Sequence, residues 1–379
     1  MTPGPAPVPD EVLKVFSEPM EHHRTARFEA LFSSLQPKLK KLFQTQEHVF
    51  MHASTGSGAM ESAIINTLSP GDEVLSVEIG KFGERMTEIC NKNCIKVTAI
   101  KVTWGEAVDP LVIQAELDKN PQIKAVLLQA CETSTATLNP VKEIGDIVAK
   151  TNAIFIVDAI TALGAMPMPM DEYKIDVLIA GSQKALMLPT GLSLLSLSKK
   201  AWAYNEKSLC SKYYLCLKGE LKANKNGETR FSTNVPYVKG LNLVLDLFEK
   251  NGMDHYFNRV LTLKNATAVA LKELGLESFS KKQSPTVTAI KMPEGIDSQK
   301  VRKFMEEKYQ VVVMGGQDAI KNLVIRIGHM GAIQDGDLVI TIEALAEAIN
   351  AQKFLYSKGK IKSVITEVEK ALSNGEPYK

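Results

Sequence analysis

A short apolar strand followed at once by a lysine constrains this chain more than any other feature. Residues 177–180 (Val-Leu-Ile-Ala) are typical of a strand buried on both faces, and residues 181–183 turn the chain before Lys184. Open α/β sheets bind their ligands at the carboxyl ends of parallel strands. Small and apolar neighbours should desolvate the Lys184 ammonium, lower its pKa and make the amine a nucleophile for an aldehyde. The alternative is a solvated loop lysine.

A second apolar strand, residues 153–157, is closed by an acidic residue. Asp158 precedes Lys184 by 26 residues, with one predicted strand between them. The carboxyl ends of parallel strands share one edge of a sheet, so the carboxylate and the amine are expected on the same side. The alternative role for Asp158 is to cap the helix that follows it.

A glycine-rich segment indicates a site for a phosphate. Gly56, Ser57 and Gly58 precede residues 59–68, which have the apolar face of a helix. The start of a helix offers unpaired N–H groups and the positive end of its dipole to an anion. The dinucleotide pattern is excluded because Glu61 stands at the position of its third glycine, and no Gly-Lys-Ser/Thr follows to make a P-loop. A glycine-rich helix start without a ligand is the alternative.

An arginine interrupts a late apolar strand, residues 323–328. The alternation of side chains sends Leu323, Ile325 and Ile327 to one face and Arg326 to the other. A buried guanidinium is costly unless it meets an anion, and its planar fork suits a carboxylate. A substrate carboxylate and an ion pair with Asp or Glu are the two candidates.

Composition limits the class of protein. The 379 residues are enough for one large and one small domain, and 45% hydrophobic with 23% charged residues is typical of a soluble globular protein. A net charge of +2 favours neither nucleic acid nor a membrane as partner. No apolar run reaches membrane-spanning length, and the first residues lack a signal-peptide pattern. Five scattered cysteines predict a cytoplasmic location, and no metal site is expected.

The lysine segment resembles that of a known family. Ser-Gln-Lys-Ala-Leu at residues 182–186, with Pro189 and Gly191, is similar to the lysine segment of class V pyridoxal-phosphate aminotransferases, in particular the alanine–glyoxylate / serine–pyruvate (serine–glyoxylate) group. The resemblance extends from Pro3-Gly4-Pro5 to residue 328. It implies a fold-type-I α/β protein with a mainly parallel seven-stranded sheet. We therefore expect an N-terminal arm (1–20), a large cofactor-binding domain (21–251) and a small C-terminal α+β domain (252–379).

The resemblance also implies a set of site residues. Lys184 would carry pyridoxal 5′-phosphate as a Schiff base and then move the substrate proton, while Asp158 would keep the ring nitrogen protonated. The implied cofactor contacts are Gly56, Ser57, Gly58, Phe82, Ser134, Thr135, Asp158, Gln183, Lys184, Thr233 and Asn234. The implied substrate contacts are Arg326 and Gly4.

Four positions depart from the family pattern. Phe82 stands where family members often carry tryptophan, and it keeps a flat face for stacking; a buried core phenylalanine is the alternative. Ala136 replaces a glycine of the family's Glu-Ser-Ser-Thr-Gly segment. Phe231 and Asn234 stand where the family offers tyrosine and threonine to the phosphate in the partner subunit. Thr233 is a further candidate for that contact.

The predicted activity is transamination between a small amino acid, alanine or serine, and a 2-oxo acid, glyoxylate or pyruvate. A homodimer is expected from the resemblance. A small neutral donor is favoured because no second cationic side chain is plainly placed to bind a distal acidic group. Two alternatives remain open: a desulfurase-like lyase, which needs a reactive cysteine on a late loop although none follows Cys216, and a non-catalytic subunit that retains the fold.

Overall fold

The computed structural model describes residues 1–378, whose strands form one large sheet and two small ones. In chain order the strands are β1 (Val49–His52), β2 (Glu73–Glu78), β3 (Lys96–Lys101), β4 (Ala125–Gln129), β5 (Cys131–Glu132), β6 (Thr137–Leu138), β7 (Ile154–Asp158), β8 (Val177–Gly181), β9 (Ser193–Leu197), β10 (Val287–Lys291), β11 (Met314–Gly315) and β12 (Val324–Gly328).

Helices separate most of these strands. They are α1 (Asp10–Val15), α2 (Ala26–Phe43), α3 (Gly56–Thr67), α4 (Lys81–Lys92), α5 (Pro110–Lys119), α6 (Val141–Val148), α7 (Lys199–Asn205), α8 (Leu217–Asn224), α9 (Val235–Asn251), α10 (Met253–Leu274), α11 (Ser298–Tyr309), α12 (Asp335–Asn350) and α13 (Lys358–Ser373). A 3₁₀ turn at Asp318–Ile320 follows β11. None of the helices in residues 1–378 is both long and apolar enough to cross a bilayer.

The large sheet has seven strands in the order β1-β9-β8-β7-β4-β2-β3. Every neighbouring pair is parallel except the two that involve β9, which confirms the predicted mainly parallel sheet. All residues of β4, β7, β8 and β9 are buried, because helices cover both faces. The register sets Asp158 beside Ile179, near the end of β8. The carboxyl ends of β7 and β8 therefore meet at one edge.

Buried side chains form separate clusters around the two larger sheets. Two clusters cover the faces of the seven-stranded sheet, and a third packs α10–α13 against the antiparallel sheet β10-β12-β11. Gly252, with φ of 82°, lies between α9 and α10 at the expected domain boundary. The division into residues 1–20, 21–251 and 252–379 stays a prediction.

The first seven residues, named here the leading segment, connect the two parts of the fold. The carbonyls of Met1 and Pro7 accept hydrogen bonds from Gly328 (3.1 Å) and Ala332 (3.1 Å). On the other side the Ala6 N–H donates to the Gln183 carbonyl at 2.9 Å. The leading segment thus passes between the end of β12 and the turn that carries Lys184.

Local structure departs from the sequence pattern at three places. The lysine-rich residues 207–230 lack periodicity and predict a loop, but they contain α8, whose inner face is Leu217, Glu220 and Asn224. Two of those inner residues are polar, so no apolar period marks the helix. Pro37 predicts a kink or a split, but it lies within one continuous helix, α2. The apolar residues 311–314 predict a strand, and the structure has only the two residues of β11 there.

Candidate active site

A cavity of about 260 Å³ opens at the carboxyl ends of β7 and β8, where ligands of open α/β sheets bind. Its lining comes from the leading segment, the start of α3, the start of α4 and the strand ends. The lining residues are Gly4, Pro5, Thr55, Gly56, Ser57, Phe82, Arg85, Thr133, Asp158, Ile160, Thr161, Gln183, Lys184 and Thr190. The structure therefore brings together residues that lie far apart in the sequence.

Lys184 lies in the turn after β8 and is 8% exposed. Its Nζ donates to the Pro3 carbonyl at 2.5 Å. Burial lowers the pKa of Lys184 to about 8; Arg326 lowers it further, while Cys131 and Asp158 oppose the change. About a tenth of the amine is therefore uncharged at pH 7, far more than for an ordinary lysine, and this uncharged form is the nucleophile for an aldehyde.

Asp158 closes β7 and lines the same cavity. Its Oδ1 accepts a hydrogen bond from the Ile160 N–H at 2.9 Å, and no described residue donates to Oδ2. Burial raises the pKa of Asp158 to about 6. The nearby Glu132 charge also raises this pKa, while the Ile160 bond and Lys184 lower it. The carboxylate is thus mostly ionised at neutral pH and has one oxygen available to a ligand.

The start of α3 forms one end of the cavity. Thr55 is the N-cap residue, and Gly56 and Ser57 begin the helix. A Cβ on Gly56 would lie 2.4 Å from Cδ1 of Ile160, so only glycine allows this close approach. Gly56 and Ser57 line the cavity, whereas Gly58 packs against Ser54 and does not line it; their contact with a phosphate stays a prediction. Thr55 was not among the predicted site residues, although threonine is a preferred N-cap residue directly before a helix.

Phe82 lines the cavity from the first turn of α4. Its N–H and that of Gly83 each donate to Oε2 of Glu132 at 3.0 Å. Glu132 is fully buried, and its carboxylate caps the start of α4, where the helix dipole favours a negative charge. Glu132 was not among the predicted site residues. Its structural role is to fix the helix turn that presents the Phe82 ring.

The segment after β5 differs from the expectation at two positions. Ser134 and Thr135 are fully buried and do not line the cavity. Ser134 Oγ donates to Glu132 at 2.5 Å and accepts from the Lys81 N–H at 3.0 Å, so this hydroxyl also holds the start of α4. Thr133 lines the cavity in their place.

Ala136 ends that segment with a φ of 59°. This left-handed conformation favours glycine, which is the residue at this position in the family pattern. Ala136 therefore adopts a backbone conformation that glycine would adopt with less strain.

Arg326 is 7% exposed in the middle of β12. Its Nε donates to the Gly315 carbonyl at 2.9 Å and its Nη1 to the Thr133 carbonyl at 2.8 Å. Burial lowers the pKa of Arg326 to about 10, and Glu132 opposes that change. No carboxylate among residues 1–378 forms an ion pair with it. Arg326 does not itself line the 260 Å³ cavity, but it bonds to Thr133, which does.

Gly4 crosses directly over the lysine. A Cβ on Gly4 would lie 2.3 Å from Nζ of Lys184, and its φ of 132° is one that side chains rarely adopt. Thr233 and Asn234 are outside the cavity. Thr233 lines a separate small cleft with Tyr214 and Phe231, and Asn234 precedes α9.

The cavity suits pyridoxal phosphate. The amine of Lys184 can hold its aldehyde, and the carboxylate of Asp158 can hold its ring nitrogen. The amide oxygen of Gln183 is buried without a hydrogen-bond partner, although Gln183 lines the cavity. The oxygen and nitrogen of an amide exchange places by a flip, so this end can present a donor to an anion. The glycine-lined start of α3 suits the phosphate.

Similarity to known proteins extends over nearly the whole chain. The family model for class-V aminotransferases matches residues 2–334. A soluble hydrogenase 42 kDa subunit of Anabaena cylindrica is 37% identical, with 91% of each chain covered. A serine–glyoxylate aminotransferase of Methylorubrum extorquens is 32% identical, covering 89% of this chain and 87% of the relative. The solved ureidoglycine–glyoxylate aminotransferase of Bacillus subtilis is 26% identical with a TM-score of 0.91, covering 98% of this chain and 97% of that one.

Proposed function

Because this chain belongs to the class V aminotransferase family, we propose that it moves an amino group between a small amino acid, alanine or serine, and a 2-oxo acid, glyoxylate or pyruvate. The protein is a fold-type-I aminotransferase that depends on pyridoxal 5′-phosphate. Glyoxylate as acceptor is supported by the relatives named serine–glyoxylate and ureidoglycine–glyoxylate aminotransferase. One observation carries the catalytic part of the proposal: a buried lysine with a pKa near 8 shares a cavity with a buried carboxylate.

Lys184 and Asp158 divide the proton chemistry between them. When bound, pyridoxal phosphate supplies an aldehyde that condenses with amines and a ring that accepts the electrons of a broken C–H bond. Lys184 would hold the cofactor and then, as a free amine, take the proton from the substrate α-carbon and return it later. Asp158 would hold a proton on the ring nitrogen through Oδ2, which no described residue uses.

The substrate carboxylate would be bound by Arg326. Two of its five N–H groups are engaged by the carbonyls of Gly315 and Thr133, which fix the plane of the guanidinium. The remaining three are available to a carboxylate, and Thr133 connects Arg326 to the cavity wall. Gly4 and Pro5 line the cavity beside Lys184 and would exclude water from the amine.

We also propose a homodimer in the cytoplasm. Thr233 and Asn234 lie outside the cavity of their own chain, which is consistent with a contact to the phosphate bound by a second copy. Tyr213 and Tyr214 are exposed and pack against Phe231 in the same region, as aromatic residues of an interface do. The five cysteines are free thiols, in keeping with a reducing compartment.

A desulfurase-like reaction is disfavoured by the state of the cysteine near Lys184. Cys131 is buried and hydrogen-bonded to Ser284, and burial raises the pKa of its thiol to about 11. The reactive form of cysteine is the thiolate, which is scarce at this pKa. Cys131 therefore lacks the reactivity that a lyase of that type requires.

A donor panel tests the proposed reaction. Alanine, serine, aspartate and cysteine are assayed as donors with glyoxylate and pyruvate as acceptors, and Lys184→Ala is the inactive control. We expect alanine or serine to give the highest kcat/KM, and the control to show none of that activity. A preference for aspartate, or release of sulfur from cysteine without conversion of glyoxylate to glycine, would contradict the proposal.

A further inference from the structure

An arginine that the sequence analysis did not single out lies on the cavity wall. Arg85 is in α4, one turn after Phe82, and it lines the cavity. Its Nη1 donates to Ser57 Oγ at 3.1 Å. Its guanidinium lies 4.8 Å from the centroid of the Phe82 ring. The side chain is thus held between the start of α3 and the ring at the start of α4.

The charge of Arg85 is not neutralised by an ion pair in the described part of the chain, although it helps to lower the pKa of Asp158 from a distance. Some other arginines do pair with carboxylates, as Arg27 does with Glu21 and Arg259 with Asp335. No ion pair of residues 1–378 involves Arg85, and its polar contact is with a neutral hydroxyl. This positive charge adds to that of the α3 N-terminus, where Ser57 is in the first turn. Two separate sources of positive potential therefore converge at one end of the cavity.

We propose that Arg85 binds the cofactor's phosphate, together with the start of α3. The contact with Ser57 places the guanidinium at the glycine-lined end of the cavity, where a phosphate receives the backbone N–H groups. A guanidinium binds phosphate through two parallel hydrogen bonds, and stacking on Phe82 restricts its orientation before the ligand arrives. Lys184 and Asp158 serve the aldehyde and the ring nitrogen of the cofactor, and Arg85 adds a positive charge for its phosphate.

Binding titrations of two ligands with several variants test this role without measuring turnover. The apo protein is titrated with pyridoxal 5′-phosphate and with pyridoxal, which lacks the phosphate, and the dissociation constants are read from absorbance. The proteins compared are wild type, Arg85→Met, Arg85→Lys and the control Arg27→Met, whose arginine is on the surface and away from the cavity. Melting temperatures verify that each variant is folded.

The expected result is specific for the phosphate. Arg85→Met should weaken the binding of pyridoxal phosphate by about tenfold or more. This factor corresponds to the lower end of the free energy of a charged hydrogen bond, which is expected because Arg85 is exposed. Pyridoxal should bind as in wild type, Arg85→Lys should recover part of the loss, and Arg27→Met should match wild type. Inorganic phosphate should compete with pyridoxal phosphate less effectively in Arg85→Met.

Two outcomes would overturn the proposal. Equal weakening of both ligands would mean that Arg85 acts only by supporting Phe82. Unchanged binding of both ligands, with a selective rise in KM for acidic donors such as aspartate, would mean that the charge serves a distal acid of the substrate. In either case the amino-transfer activity proposed above is tested separately by the donor panel.

Discussion

Replacing Arg326 by lysine tests whether the buried guanidinium binds the substrate carboxylate. The guanidinium uses Nε and one Nη1 proton for the carbonyls of Gly315 and Thr133, which leaves three N–H groups for two bonds to a carboxylate. A lysine ammonium has three protons, and two of them would be needed for the same carbonyls. One substrate bond is therefore lost in Arg326→Lys, although the charge is kept.

The size of the effect follows from that count. A hydrogen bond to a charged group contributes about 1.5–3 kcal/mol. Losing one should weaken binding by about 10- to 150-fold, since about 1.4 kcal/mol corresponds to a factor of ten. The same factor is expected in KM for the amino acid and the 2-oxo acid, because both carry the carboxylate. Cofactor absorbance and melting temperature should stay close to wild type.

The assay is steady-state kinetics with two controls. A simple amine without a carboxylate should react with the bound cofactor at the wild-type rate in Arg326→Lys. Arg302→Lys changes a half-buried arginine that packs against Gly315 from α11, and it should leave both KM values unchanged. If the amine and the amino acid are slowed equally, and melting temperature falls, then Arg326 has a structural role and the carboxylate site is elsewhere.

Three further predictions concern the lysine and its neighbours. Asp158→Asn should retain bound cofactor but lower kcat by orders of magnitude, since each loss of about 1.4 kcal/mol of transition-state stabilisation lowers the rate tenfold. Near-normal turnover would mean that Asp158 serves only as a helix cap. The rate at which apo protein captures pyridoxal phosphate should rise with pH through a midpoint of about 8, because the Lys184 ammonium must lose its proton to react; a midpoint at the ordinary pKa of lysine would contradict this. Gly4→Ala places a methyl group 2.3 Å from Nζ of Lys184, and the strain of about 1–3 kcal/mol should slow that capture by about tenfold or more. Gly71→Ala, at a φ of 88° but with open space around it, is the matched control and should not change the rate.

The strand-end residues could be predicted from the sequence because their signal is local. A fully apolar run predicts a buried strand, and the residue that closes it must lie at the edge of the sheet. Lys184 and Asp158 follow such runs, and the structure brings both to one cavity. The glycines marked the start of α3 in the same way. The residues of this segment that line the cavity are Thr55, Gly56 and Ser57, one position earlier than the predicted Gly56, Ser57 and Gly58.

Residues whose place depends on distant contacts could not be predicted in this way. Glu132 contacts the start of α4, about fifty positions earlier in the chain, and nothing in its own neighbourhood indicates that partner. Ser134 carries a hydroxyl that suits a cofactor, but the same hydroxyl completes the capping of α4. Arg85 has the sequence context of a surface helix residue, and its contact with Ser57 exists only because α3 approaches α4. Each of these contacts joins elements that only the folded sheet brings together.

The leading segment joins parts of the chain that are synthesised at different times. Residues 1–7 are synthesised before Gly328 and Ala332, which hold them in place. Domains fold as units during synthesis, the earlier ones first, so the seven-stranded sheet and its strand ends can form before this cover has a partner to bind. We therefore expect Lys184 to stay uncovered in the nascent chain until β12 is complete, so that the cofactor can reach it before the Pro3 carbonyl is fixed over its amine.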